Sequence, residues 1–175
     1  ALAAGHEVLL ISGPVAIPPP SGVQVIHVET AREMFDAVRT HLPGCSAAIF
    51  SAAVADYRPT QASSQKIKKN ATTLTLELER TEDILGSVRS QFAFTGFLVG
   101  FAAETENLIP HAQDKLARKG CDLIIANDVS QSGIGFDSLE NEVTLCLPSG
   151  KTTALPRQSK TALAHELIQI ISSSI

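Results

Sequence analysis

Five short apolar runs, separated by stretches that read as helix or turn, constrain this chain more than any other feature. They are Glu7–Ser12, Val23–Val28, Ala47–Ser51, Phe97–Ala102 and Leu123–Ala126. Runs this short, apolar without strict alternation, suit strands covered on both faces. Helix signals fall between them. Thr30 followed by Glu33 forms a capping box that opens a helix running to about Leu42, with Met34, Val38 and His41/Leu42 on one face. Glu82–Phe92 reads as a short helix, and Asn107–Lys119 as a longer one ended by Gly120. Strands alternating with helices predict an α/β fold: a Rossmann-like, doubly wound, mainly parallel sheet in one domain.

Three segments depart from that rhythm. Gly13-Pro14 and Pro18-Pro19-Pro20 make a stiff loop that excludes helix and central strand. Asp56–Lys69 is polar and basic, and Thr73–Leu78 then alternates strictly, as an antiparallel strand with one solvated or partner-facing side would. Val143–Leu147 and Thr152–Leu155 flank Pro148-Ser149-Gly150 and predict an edge hairpin, followed by a Ser159-capped helix with Leu163, Leu167, Ile170 and Ile171 in one stripe. The opening residues Ala1–His6 resemble the last turn of a helix, with Gly5 just past its end. The expectation is a single domain over residues 1–175 whose first strand and phosphate-binding turn lie upstream of Ala1.

Composition narrows the partners. Hydrophobic residues make up 44% of the 175, aromatic residues 5%, and the net charge is −4. That favours an aliphatic core and argues against nucleic acid as a partner. No run of about 20 apolar residues predicts a membrane span, and no secretory signal is visible. Cys45, Cys121 and Cys146 lie far apart and match no zinc or disulfide pattern, so each reads as a small buried residue in the cytoplasm.

The candidate chemistry gathers at strand ends. Ser51-Ala52-Ala53-Val54-Ala55-Asp56-Tyr57-Arg58 ends a strand in small residues and then presents an Asp. Open α/β sheets bind ligands at the carboxyl ends of their strands, where small residues allow close approach. Asp56 there can accept from a ligand, bind Mg²⁺ or cap a turn. Lys66-Ile67-Lys68-Lys69 repel one another and suit a polyphosphate, or form a solvated basic loop. Lys115 and Lys119 share a helix face, facing an anion or complementing the helix dipole. Phe101 beside Gly100 can pack a flat base or fill core, and Glu104 and Asn127-Asp128 also follow strands. The five histidines show no metal-ligand spacing, and no serine sits in a nucleophile elbow.

These motifs resemble, in order and spacing over nearly the whole chain, the phosphopantothenate–cysteine ligase (phosphopantothenoylcysteine synthetase) family. The matching residues are Ser12-Gly13-Pro14, Ala52–Tyr57, Lys66–Lys69, Gly100–Thr105, Lys115 with Lys119, and Ala126-Asn127-Asp128. The resemblance implies a ligase of coenzyme A biosynthesis that joins 4′-phosphopantothenate to cysteine through an acyl-cytidylate made from CTP with Mg²⁺. It implies CTP contacts at Ala52, Ala53, Asp56, Lys66, Glu82, Asp83, Ile84, Leu85, Phe101, Lys115 and Lys119. It makes Lys66 the catalytic lysine, Asp56 the metal ligand and Asn127 a substrate contact. It also implies a homodimer with its contact around residues 66–78, and FMN only where a flavin decarboxylase is fused upstream. Two departures stand out. Glu82 occupies a position where the family commonly has Pro, and the glycine- and serine-rich N-terminal motif, with an asparagine for the second half-reaction, is absent. A Rossmann NAD(P) oxidoreductase and a non-catalytic nucleotide-binding or dimerisation module are the alternatives. The first has no place for Lys66–Lys69, and the second follows if the site is incomplete.

Overall fold

The computed structural model describes residues 1–61, 63, 65–68, 72–130 and 138–175; Lys69 of the lysine cluster lies outside them. After a 3₁₀ turn, Leu2–Ala4, closed by Gly5 at φ 84°, come β1 (Leu9–Ser12), β2 (Gln24–His27), α1 (Ala31–His41) and β3 (Ala47–Phe50). Next are β4 (Tyr57–Pro59), β5 (Leu78–Arg80), α2 (Ile84–Ser90), β6 (Phe97–Glu104), α3 (Leu108–Lys119) and β7 (Leu123–Asp128). The hairpin β8 (Glu140–Cys146) and β9 (Thr152–Ser159) leads into α4 (Lys160–Ser172).

Five strands form the central sheet in the order β3-β6-β7-β8-β9. β3, β6 and β7 are parallel, while β8 and β9 complete the sheet antiparallel. Helices cover both faces, as a doubly wound fold requires. Leu98 and Ile124 face α1, α2 and α3, packing with Phe35, Val38, Val88 and Leu116. Their neighbours Val99, Leu123 and Ile125 face the other way, onto Leu163, Leu167 and Ile171 of α4. This period-two division of apolar runs explains why they do not alternate in sequence: both sides of each strand are core.

The expected single sheet is divided. Among the described residues, β1 pairs in parallel with β2 alone, and β4 pairs antiparallel with β5. β1 is half-buried along its length, not fully buried as its sequence predicts. The alternating segment Thr73–Leu78 contributes only its last residue to β5, and Leu74, Leu76 and Leu78 are exposed. Two smaller corrections concern side chains. His41 turns to solvent while Phe35 joins Val38 and Leu42 in the core, and Cys45 is exposed, unlike buried Cys121 and Cys146. Thr30 does build the full capping box with Glu33, whose carboxyl is held below its usual range first by the Glu29 amide and then by the Thr30 amide. Among the described residues, no helix is long and apolar enough to cross a membrane.

Candidate active site

The parallel strands β3, β6 and β7 end in the segments the sequence marked, so their neighbours in register share one sheet edge. Ala103 lies beside Asn127 and Glu104 beside Asp128. Beyond β3 the chain runs through Ala52 and Ala53, both exposed, to Asp56, exposed just before β4. Two hydrogen bonds tie this turn to the segment entering α2. Thr81 Oγ1 donates to the Ala55 carbonyl at 2.6 Å, and the Thr81 amide donates to the Asp56 carbonyl at 3.0 Å.

Asp83, not Glu82, caps α2, with its side chain accepting from the Gly86 amide at 3.0 Å. The same carboxylate pairs with Lys119. Burial pushes the Asp83 carboxyl up, but the Lys119 and Gly86 hydrogen bonds outweigh it, and the net shift is downward. Ile84 is buried, and Leu85 lies against Gly100: a methyl group on Gly100 would meet Leu85 Cδ2 at 3.0 Å and Ile124 Cδ1 at 2.8 Å. Gly100 therefore lets α2 lie close to β6.

Lys115 is half-buried and donates to the Phe101 carbonyl at 2.7 Å. Burial lowers its pKa, while Glu104 pulls the other way. A partly desolvated ammonium beside a strand end is a strong attractor for anions. Phe101 itself packs partly buried against the α4 side of the core. Glu104 also meets His111, Oε2 to Nδ1 at 3.2 Å. Asn127 Oδ1 is buried and accepts no hydrogen bond from a described residue, a state that costs free energy unless a ligand or water donates to it.

Asp56, Asp83, Ile84, Leu85, Phe101, Lys115 and Lys119 are thus linked through Thr81, α2, β6 and α3, while Ala52 and Ala53 lie exposed in the turn that leads to Asp56. Lys66 stands apart from them: it is exposed and makes no hydrogen bond or ion pair with a described residue. Among the described residues no three His, Cys, Asp or Glu side chains cluster as a metal cage. Sequence reasoning missed Thr81 and the arginines Arg32 and Arg58, which hold Glu82. Arg58 lay inside a motif of interest, but its partners are distant in sequence.

The chain is similar to known proteins over its whole length. Residues 1–175 match the DNA/pantothenate metabolism flavoprotein C-terminal domain (DFP). Coenzyme A biosynthesis bifunctional protein CoaBC of Vibrio vulnificus is 42% identical over 175 residues, 99% of this chain and 43% of that protein. The protein of the same name from Bacillus subtilis is 41% identical over 170 residues, 97% of this chain and 42% of that one. The chain thus spans under half the length of these relatives. The crystal structure of the C-terminal domain of a CoaBC protein superposes with a TM-score of 0.79 at 36% identity, covering 98% of this chain and 76% of that one. A family match from end to end, on a sheet whose strand ends carry the motif residues, places this chain in the DNA/pantothenate metabolism flavoprotein C-terminal domain family.

Proposed function

We propose that this chain carries the phosphopantothenate–cysteine ligase activity of coenzyme A biosynthesis, using CTP. One observation carries the reading: motifs far apart in sequence are tied together at one sheet edge, Asp56 through Thr81, Asp83 through Lys119 and Lys115 through Phe101. A nucleotide laid along that edge meets a carboxylate, small-residue backbone and two lysines. In the reaction, a 4′-phosphopantothenate carboxylate oxygen attacks the α-phosphorus of CTP and pyrophosphate leaves. The amine of cysteine then attacks the acyl carbon, CMP leaves, and the amine gives up a proton.

Lys66, Lys115 and Lys119 follow the charge on the phosphates, Phe101 and the Ala52–Ala53 backbone bracket the nucleoside, and Asn127 Oδ1 accepts from the substrate. A nucleotide-bound Mg²⁺ needs only one or two carboxylates beside the phosphates, which exposed Asp56 satisfies, and it would add charge stabilisation there. The ligase reading carries with it a cytoplasmic location. Thermal shift with Mg²⁺ tests the nucleotide: CTP is expected to raise the melting temperature more than ATP, and stabilisation by NAD alone would favour the oxidoreductase reading instead.

The reading includes a homodimer. Leu74, Leu76 and Leu78 are 67%, 61% and 53% exposed and recur at every second residue, and Tyr57 on the paired strand β4 is exposed too. Such a row asks for cover, and we assign it to a second copy of the chain. Light scattering is expected to give a dimer for the parent and a monomer for Leu76→Lys. A monomeric parent would remove this part of the reading.

A further inference from the structure

Glu82 stands at the centre of an ion-pair network. Its Oε1 accepts from Arg32 Nη1 of α1 at 3.0 Å, and its Oε2 accepts from Arg58 Nη1 of β4 at 3.2 Å. The network extends at both ends. Arg32 Nε donates to Asp36 at 3.0 Å, whose other oxygen meets Arg39 at 2.9 Å, and Arg58 Nε donates to Glu79 of β5 at 2.8 Å. Three arginines and three carboxylates therefore run from α1, across Glu82, to the β4–β5 ribbon.

The place of Glu82 in the chain gives the network its meaning. The residue before it, Thr81, is bound to the Ala55 and Asp56 carbonyls. The residue after it, Asp83, caps α2 and pairs with Lys119. Between these two backbone positions, the Glu82 side chain reaches both α1 and β4. Its carboxylate is 20% exposed and both oxygens are engaged, so it presents little free negative charge to a polyphosphate. Bonding to Arg32, with help from Arg58, also keeps it ionised by lowering its pKa. Isolated surface ion pairs contribute little to stability, but a carboxylate shared by two guanidinium groups fixes direction.

We propose that Glu82 is a positioning residue for the nucleotide: it holds the Ala52–Asp56 turn at a set distance from Asp83 and Lys119 before CTP binds. This rests on the ligase reading above. Small errors of placement are costly in sites that work by orientation, so the effect of losing Glu82 falls on binding more than on overall stability.

Glu82→Gln, Arg58→Gln and the double variant test it, with isothermal titration of CTP, steady-state kinetics and hydrogen exchange at the β4–β5 amides. Each single variant is expected to weaken CTP binding and raise KM for CTP about 5- to 10-fold, with kcat within about twofold of the parent. The double variant is expected to be no worse than the poorer single one, because both changes break one link. Exchange at Thr60 and Thr81, whose amides donate across the ribbon to the Glu77 and Asp56 carbonyls, is expected to quicken. Arg58→Gln keeps the test open if Glu82→Gln does not fold. A parent that binds CTP while both variants bind it equally well would overturn the positioning role, as would additive losses or unchanged exchange. A parent that does not bind CTP would overturn the ligase reading, and this inference with it.

Discussion

Lys66→Gln is expected to slow pyrophosphate release about 10²- to 10³-fold, the usual cost of removing one preorganised charge from a developing negative centre. The melting temperature is expected to stay within about 2 °C of the parent, because exposed residues without partners contribute roughly half a kcal/mol or less. The second expectation follows from the position of Lys66: it is exposed and bonded to no described residue. A side chain that bonds to no described residue can be changed with little effect on them, so a lost rate at an unchanged melting temperature reports the site and not the fold. The other lysines give no such clean test. Lys119 holds Asp83, and Lys115 holds the Phe101 carbonyl, so removing either also loosens α3 from its neighbours. Initial rates of pyrophosphate release, at saturating 4′-phosphopantothenate and varied CTP, read the effect. A fall in kcat at constant KM places Lys66 in the transition state, and a rise in KM at constant kcat places it in ground-state binding. Unchanged release would remove Lys66 from the site.

The fold was legible wherever a residue's burial depends on its own strand or helix. The apolar runs became β3, β6 and β7 because Leu98, Val99, Ile124 and Ile125 alternate between two covered faces. Thr30 and Glu33 formed their box because a cap is a local contact. Thr73–Leu78 misled for the opposite reason. Its alternation reports that one face needs cover, but Leu74, Leu76 and Leu78 stay exposed and find no cover among the described residues, and only the segment's end joins a strand. The pairing of β1 with β2, apart from the five-stranded sheet, was equally hidden, since an apolar strand records that it is buried and not what lies beside it. At the site, sequence found the groups at the strand ends and missed what joins them. Thr81 meets Ala55 and Lys115 meets Phe101 across separations that no helical or strand period predicts. Glu82 is the clearest case. In sequence it is a carboxylate misplaced beside phosphates, and only the through-space approach of Arg32 and Arg58 gives it a use.

Arg89→Ala is expected to lower stability by about 2–4 kcal/mol, combining lost charged hydrogen bonds with a carboxylate left without its partner. At roughly 2–4 °C per kcal/mol for a chain of this size, the melting temperature is expected to fall by about 4–16 °C. Arg89 projects from α2 to the end of the sheet opposite the site, where β6 and β7 begin. Its Nε donates to the Gly120 carbonyl at 3.1 Å, its Nη1 donates to the Phe94 carbonyl, and its Nη2 donates to Asp122 Oδ2 at 2.6 Å. That carboxylate oxygen also accepts from the Leu98 amide at 2.7 Å, and the guanidinium lies 5.5 Å from the Phe94 ring centre. One side chain thus joins α2, the turn before β6 and the turn between α3 and β7. The pair is only partly shielded, with Arg89 26% and Asp122 39% exposed, which holds the estimate below that for a fully buried pair. Arg89→Lys keeps the charge but not the three-way fork, so its loss is expected to lie between parent and alanine. Calorimetry checks all three proteins. Because the clamp sits at the far end of the strands, KM for CTP measured well below the melting temperature is expected to stay within about twofold of the parent. A melting shift under 2 °C would show that these bonds merely replace equivalent bonds to water, and a large change in KM would show that α2 transmits strain along its length to Asp83.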